Sequence, residues 1–510
     1  MQINVVEYWL GHIPDEKIRG KIAVVDEEGE TTFGELFDRG GVLGERLVRT
    51  FSATGRPMAV FLPKCSEQMA ADMAVLYSGN AYSNLDVKQP VERTRRILEQ
   101  LQPVCILTGK EWVERLEGCA GNVPILCLED IEADSYDLVC IKERIKGVVD
   151  TDPLCIINTS GSTGTPKGVI MNHRSVIDFL DQACRVLDVG HGERIGSLSP
   201  VYFDIFTMEF YLTLWKQATF VCIPERLAMF PERLASFLEE QHIDFIFWVP
   251  TVMVNMANMD ILAEHSLEDL RKVLFAGEVF PMKHLSYWME HVPQAEFINM
   301  YGPIEITVDC LYHRVTAEDI ERGELPIGRV FPNTKAYILD EEGRECEDGE
   351  PGELCISGTS LAMGYYRDRE KTGKAFVQNP LNSCYLETIY RTGDMVCRRE
   401  DGEVMFLGRK DFQVKHLGYR IELGEIEAVA VGLDGIDNAC VLYDREEKKI
   451  LLVYESKQEM PTREIREKMG KILPKYMLPT AFHHVEEMPR NPNGKIDRSL
   501  LKKRYVQVEE

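Results

Sequence analysis

Apolar positions recur along this chain in two rhythms, and their alternation predicts an α/β protein. Ile22 to Val25, Ala59 to Leu62, Ala81-Tyr82 and Val104 to Leu107 are apolar runs of strand length, whereas Ser66 to Tyr77 and Val91 to Gln100 carry helical spacing. A Glu28-Gly29 turn makes the first run a hairpin, and Thr32 with Glu35 has the form of a capping box ahead of a helix. The alternation resumes later. Helices are expected over Arg174 to Leu187, up to Leu214, over Pro231 to Glu240 and over Val252 to Met259. Strands are expected at Leu154 to Ile157, Val169 to Met171, Thr219 to Ile223, Phe245 to Trp248, Lys272 to Phe275 and Glu296 to Asn299. Such a pattern predicts mainly parallel sheets covered by helices, with functional groups in the crevice beyond the carboxyl ends of the strands.

From Pro326 the rhythm changes to short strands with glycine turns, Ala336 to Leu339, Glu353 to Ser357 and Val404 to Leu407, which predicts a small barrel-like antiparallel unit. A last shift falls near Gly408 to Asp411. Beyond it come a hairpin (Gln413 to Arg420), a helix from Leu423, two strands around Arg445 to Lys449 and a helix from Thr462, a compact α+β piece of domain size. The expected division is a large core over 1–408, a hinge at 409–411 and a small domain over 412–510.

Composition narrows the class. With 510 residues, 45% hydrophobic and 28% charged, the chain is expected to be globular and to hold more than one core. A net charge of −25 argues against nucleic acid or an anionic membrane as partner. No apolar run reaches the length of a membrane span, and the first residues lack the basic lead of a signal peptide, so no membrane insertion and a cytoplasmic location are expected. The 14 cysteines show neither C-x-x-C pairs nor His/Cys metal spacing, and reduced, mostly buried thiols are expected.

The densest chemistry lies in Thr159-Ser160-Gly161-Ser162-Thr163-Gly164-Thr165-Pro166-Lys167-Gly168. Glycines let backbone N–H groups converge on one anion, hydroxyls add donors and Lys167 adds a charge, a combination suited to phosphate. The spacing is not that of a Walker loop, and strand-like flanks predict a loop between strands. Tyr301-Gly302-Pro303-Ile304-Glu305 sets an aromatic face for a nucleobase beside a carboxylate able to hold Mg²⁺. Asp394, after a glycine turn, can accept two ribose hydroxyls, and Lys495 stands on a turn near the C-terminus. Taken singly, the Tyr301 motif is equally well a strand-ending turn with a solvated glutamate, Asp394 is better read as an aspartate in a surface turn, and Lys495 can belong to a solvated tail.

In this order and spacing the motifs resemble those of the adenylate-forming superfamily, most nearly stand-alone D-alanine:carrier-protein ligases and peptide-synthetase adenylation domains. Leu274 to Val279, Asn299 to Pro303 and Gly408 to Glu422 carry the likeness. The resemblance implies ATP and Mg²⁺ as cofactors. Thr159, Ser160, Gly161, Ser162, Thr163, Gly164 and Lys167 would hold phosphates, Asn299, Tyr301 and Gly302 the adenine, and Asp394 and Arg409 the ribose. Glu305 would hold the metal, and Lys495 would bridge the substrate carboxylate and the α-phosphate. The small domain would rotate about Asp411, exchanging Lys495 for the Gly418 loop when a thiol attacks. Two departures stand out: Asn84 replaces a usual proline and is expected to be remote, and Ile304 replaces a usual threonine.

Asp204 decides the acid, because members that activate amino acids keep an aspartate there for the α-ammonium. Ile205, Met208, Thr251, Leu274, Ala276, Met300, Val308 and Asp309 would wall the side-chain pocket. Ala276 leaves room and Asp309 adds an acceptor, so D-alanine or a serine- or threonine-like amino acid is expected, with a short diamine also compatible. The acceptor expected is the phosphopantetheine thiol of a carrier protein in trans, docking on Arg409, Lys410, Lys415, His416 and Arg420. An acyl-CoA ligase and a silent nucleotide-binding regulator are the alternatives.

Overall fold

The computed structural model describes residues 2–160, 166–410, 413–490 and 496–506. Gly161 to Gly164, Asp411 and Lys495 lie outside the described residues.

Two large sheets dominate the first four hundred residues. Among the described residues, nine strands form one sheet in the order Arg329–Val330, Leu311–Arg314, Glu296–Tyr301, Lys272–Ala276, Phe245–Trp248, Arg194–Ser197, Thr219–Cys222, Ile22–Asp26 and Gly29–Thr32. Its centre is parallel and its outer pairs are antiparallel. Seven more form the second sheet in the order Gly364–Tyr365, Lys167–Asn172, Pro153–Thr159, Ala81–Asn84, Pro57–Phe61, Ile106–Thr108 and Ile125–Cys127. Pro153–Thr159 and Lys167–Asn172 pair antiparallel, so the glycine-rich segment does join two strands.

The main core includes residues of both sheets and of the helices Phe33–Thr50, Ser66–Tyr77 and Asp204–Lys216. Thr32 caps the first of these in a full box with Glu35. Asp204–Lys216 is apolar nearly all round and buries ten of its residues, as a helix surrounded by core must. Arg194–Ser197, which lies near the middle of the larger sheet, gives little strand signal: its glycine packs where an added Cβ would meet Ile243 at 2.9 Å.

The glycine-turn region forms an antiparallel sheet of Thr334–Leu339, Gly352–Gly358, Thr388–Arg398 and Phe376–Gln378, with Val404–Arg409 on Thr388–Arg398. Beyond residue 412 a hairpin, Gln413–His416 with Tyr419–Glu422, precedes a sheet of Asn438–Asp444, Lys449–Glu455 and Ala481–Val485. That region has apolar clusters of its own, around Ile426 and Leu452 and around Cys440 and Leu501.

Candidate active site

Six parallel-strand ends open on one crevice, and the segments that leave them line a single cavity. Asn84 to Asp86, Ser160, Tyr202 to Ile205, Val249, Ala276-Gly277 and Tyr301-Gly302 follow or end these strands. The hairpin of the last hundred residues closes the cavity from above with Lys415, Gly418, Tyr419 and Arg420. Thr159, Val308, Asp309, Asp394 and Arg409 complete the predicted residues that reach it.

One wall is built by strand register. Asp394 and Arg409 are cross-strand partners, their side chains meet at 2.7 Å, and the Tyr301 hydroxyl donates to the other Asp394 oxygen. Arg409 also donates to the Thr392 carbonyl at 3.1 Å, so the guanidinium is held on two sides.

Behind the lining, next to Ile304 and under Arg420, charge gathers around Glu305, which is fully buried. Arg420 reaches it at 2.8 Å, the Tyr365 hydroxyl donates at 2.9 Å, and the Lys167 ammonium lies 3.4 Å away. Burial works against the charge, but the two cations outweigh it and hold the carboxyl well below the usual carboxylate range. Tyr365 and Lys167 arrive on neighbouring strands of the smaller sheet, which explains why residues almost two hundred positions apart converge. An oxygen ligand already ionised, buried and lysine-flanked fits Mg²⁺ with phosphates.

Asp204, at the first turn of Asp204–Lys216, is enclosed by protein yet open to the cavity. Burial pushes its carboxyl up to about 6, with Lys415, nearby N–H groups and Arg420 pulling the other way. Asp309 faces the same space, and its carboxyl is raised further by burial and by Asp204. A protonated Asp204 cannot pair with an ammonium. The specificity constant for an ammonium-bearing substrate should therefore fall about tenfold per pH unit below about pH 6. Measuring kcat/KM from pH 5 to 8 in wild type and Asp204→Asn checks this, since only the wild type should show that limb.

Some predicted residues sit behind the lining. Met208, Leu274 and Met300 pack in the main core, and the Asn299 amide donates to the Pro326 carbonyl at 2.7 Å. Thr251 is held by Glu278 and by Lys448 at 3.3 Å, away from the cavity. The expected docking patch is overturned: Arg409, Lys415 and Arg420 line the cavity, and His416 is buried against the Tyr443 hydroxyl at 3.3 Å. Lys415 and Arg420 are paired across the hairpin and both reach the cavity, His416 turns to the hairpin's other face, and Lys410 is exposed. Asn84 is not remote either; it lines the cavity and donates at 2.9 Å to Asp72, which is fully buried.

Arg93 and Glu425, which carry no sequence signal, join predicted residues in holding the hairpin in place. Arg93 and Glu425 form a buried pair at 2.6 Å, Ser160 donates to the Arg420 carbonyl at 2.7 Å, and the Gly418 N–H donates to Glu278 at 2.8 Å. A second cavity lies beside the first. It is lined by Leu198, Val252 and Leu417, and shares Phe203, Val249, Gly418 and Tyr419 with the main one.

Cations gathered round one carboxylate suit a polyphosphate, and an aromatic ring tied to an aspartate and an arginine suits a nucleoside, so fold and site define a nucleotide-handling enzyme. Residues 15–366 match the AMP-binding enzyme family and residues 425–495 match the AMP-binding enzyme C-terminal domain. The chain belongs to the AMP-binding enzymes and is an adenylate-forming ligase that uses ATP with Mg²⁺.

Among its relatives is the L-proline--[L-prolyl-carrier protein] ligase of Streptomyces coelicolor, 32% identical over 497 residues, 92% of this chain and 91% of that protein. The delta-poly-L-ornithine synthetase of Acinetobacter baumannii is 32% identical over 494 residues, and the match covers 95% of this chain but 35% of that protein. The solved structure of holo-PA1221, a protein with adenylation and PCP domains, superposes with a TM-score of 0.82 at 25% identity over 99% of this chain and 85% of that one. The Vibrio cholerae adenylation domain AlmE shares the fold, with a TM-score of 0.84 at 22% identity over 99% of this chain and 98% of that one. Among the described residues no helix is long and apolar enough to cross a membrane.

Proposed function

We propose that this chain activates a small amino acid with ATP as aminoacyl-AMP, releasing pyrophosphate, and passes the aminoacyl group to the phosphopantetheine thiol of a carrier protein supplied in trans. The observation that carries the reading is Asp204, a carboxylate enclosed beside the nucleotide wall. A fatty or aryl acid would leave it unpaired, whereas an α-ammonium pairs with it. The Streptomyces ligase, of whose length the match covers 91%, supports a carrier in trans.

Tyr301, Asp394 and Arg409 would bind the nucleoside. Lys167 and the glycine-rich segment would neutralise phosphate charge as the substrate carboxylate attacks the α-phosphorus and pyrophosphate departs. Glu305 would hold Mg²⁺, which supplies further charge neutralisation when bound. Lys495 keeps the role that its motif implies. Residues 1–408 would act as the core and 412–510 as a lid turning at 409–411.

The docked hairpin described above suits the second step. Arg420 on Glu305 and Ser160 on the hairpin backbone hold the hairpin docked, and the second cavity meets the main one at Gly418. A thiol entering there would attack the acyl carbonyl, with AMP as the leaving group and Asp394 and Arg409 still holding its ribose.

Pyrophosphate exchange across L- and D-amino acids, followed by loading of a phosphopantetheinylated carrier against free CoA, tests the proposal. Exchange with no amino acid would overturn the first half, and a preference for CoA the second. Arg420→Gln removes a charged hydrogen bond made only in the docked arrangement, so thioester formation should fall about tenfold or more while exchange persists. Equal loss of both steps would count against the two-arrangement reading. D-alanine and the serine- or threonine-like candidates differ in whether the side chain offers Asp309 a donor.

A further inference from the structure

The substrate cavity carries a second carboxylate that the protein leaves without a hydrogen bond. Asp309 is 3% exposed and lines the cavity, and among the described residues no donor reaches its side chain. A carboxylate so placed is costly unless something pairs with it.

The backbone is bent to put it there. Thr307 and Val308 stand in succession at φ +58° and +64°, a region that β-branched residues avoid, and the buried Thr307 hydroxyl has no partner. Gly302 is the reason the turn fits, since a Cβ at that position would lie 2.4 Å from the Asp309 Cα. Strain of this kind, ending in an unpaired acid inside a substrate cavity, is what a ligand-binding residue shows.

The charge around Asp309 says which ligand. Its neighbours in the cavity are Asp204, of the same sign, and the Lys415 ammonium, which reaches in from the hairpin. Arg420 is engaged by Glu305 and Arg409 by Asp394, so among the described residues Lys415 is the cation facing both pocket carboxylates. Lys415 itself makes no ion pair or hydrogen bond among the described residues and stays open to the cavity interior. The protein thus supplies a primary ammonium to these two acids only while the hairpin is docked. In the proposed first step, with the hairpin withdrawn, two carboxylates share one enclosed space without a protein cation. Burial and Asp204 push Asp309 toward its neutral form in that space. A hydroxyl or a methyl on the substrate leaves it so, whereas a second ammonium pairs with it as a carboxylate. Ile205, Ala276 and Val308 wall the cavity near both acids with alkyl groups, a surface that suits a short methylene chain.

We propose that the amino acid taken by this site is a short-chain diamino acid, its α-ammonium on Asp204 and its side-chain ammonium on Asp309. The proposal rests on the amino-acid reading above and replaces alanine-, serine- and threonine-like substrates with a dication.

The experiment is amino-acid-dependent pyrophosphate exchange by the full chain with Mg²⁺ and ATP, using both enantiomers throughout. 2,4-Diaminobutyrate and ornithine are compared with norvaline and norleucine, which carry a methyl in place of the terminal ammonium, and with alanine, serine and threonine. The expected result is a kcat/KM for one of the diamines about tenfold to hundredfold above its methyl counterpart and above the hydroxyl amino acids. In Asp309→Asn that ratio should collapse toward one. A wild-type preference for any neutral amino acid overturns the proposal, and this arm does not depend on how the variant folds. A ratio unchanged in Asp309→Asn overturns the assignment to Asp309. Exchange with neutral amino acids alone leaves the amino-acid reading standing and removes this one, whereas exchange with no amino acid removes both.

Discussion

Gly418→Leu is expected to stop thioester formation while adenylate formation continues. Gly418 stands at φ +81°, where a Cβ is strained, and a Cβ built there lies 3.0 Å from both Val249 methyl groups. It is also where the second cavity meets the main one, and its N–H donates to Glu278. A leucine would both obstruct the approach of a thiol and weaken hairpin docking. On the proposed two-arrangement reading either effect falls on the second step, because the first would not use the hairpin in this position. Carrier loading from preformed adenylate should drop about a hundredfold or more, with pyrophosphate exchange within about threefold of wild type. Parallel assays of the two half-reactions decide it. Normal loading by the variant would end the assignment of the junction as the thiol's path.

Asp204→Ala is expected to disable activation of every amino acid. The carboxylate sits in an enclosed position, and its removal strands a substrate ammonium among apolar groups. Losing one partner of a buried pair costs about 3–5 kcal/mol, which is roughly two to three and a half orders of magnitude in kcat/KM. Nucleotide binding should change little, since Tyr301, Asp394 and Arg409 form a separate wall. The check is exchange kinetics alongside ATP binding by calorimetry. A loss under tenfold would mean that Asp204 does not meet the ammonium.

These two residues were legible to different degrees. Asp204 came from a motif, and the structure puts it in the cavity. The motif marks Gly418 as part of a loop expected to serve thiol attack, but its closeness to Val249 joins residues 169 positions apart through the docking of one region on another. The hairpin cations illustrate the same limit. Lys415 and Arg420 read as an outward docking patch, because a sequence shows which residues alternate on a hairpin but not which face the hairpin turns to its neighbour. Asn84 reads as remote for a similar reason: its strand-end position is visible in the sequence, while the neighbouring sheet that brings it to the cavity is not.

What the sequence determined by itself was local or periodic. Strand and helix positions followed from apolar rhythm and caps, as at Thr32–Glu35, and the site's ingredients followed from short motifs whose chemistry is carried by residue type. What only the tertiary structure decided was which groups share an enclosed space. Burial turns Asp309 from a residue near a turn into an unpaired acid beside Asp204, and it turns Glu305 into a carboxylate held ionised by Lys167 and Arg420. The energy of a charge depends on its surroundings within a few ångströms. Those surroundings are assembled from chain segments hundreds of residues apart, so no window along the sequence contains them.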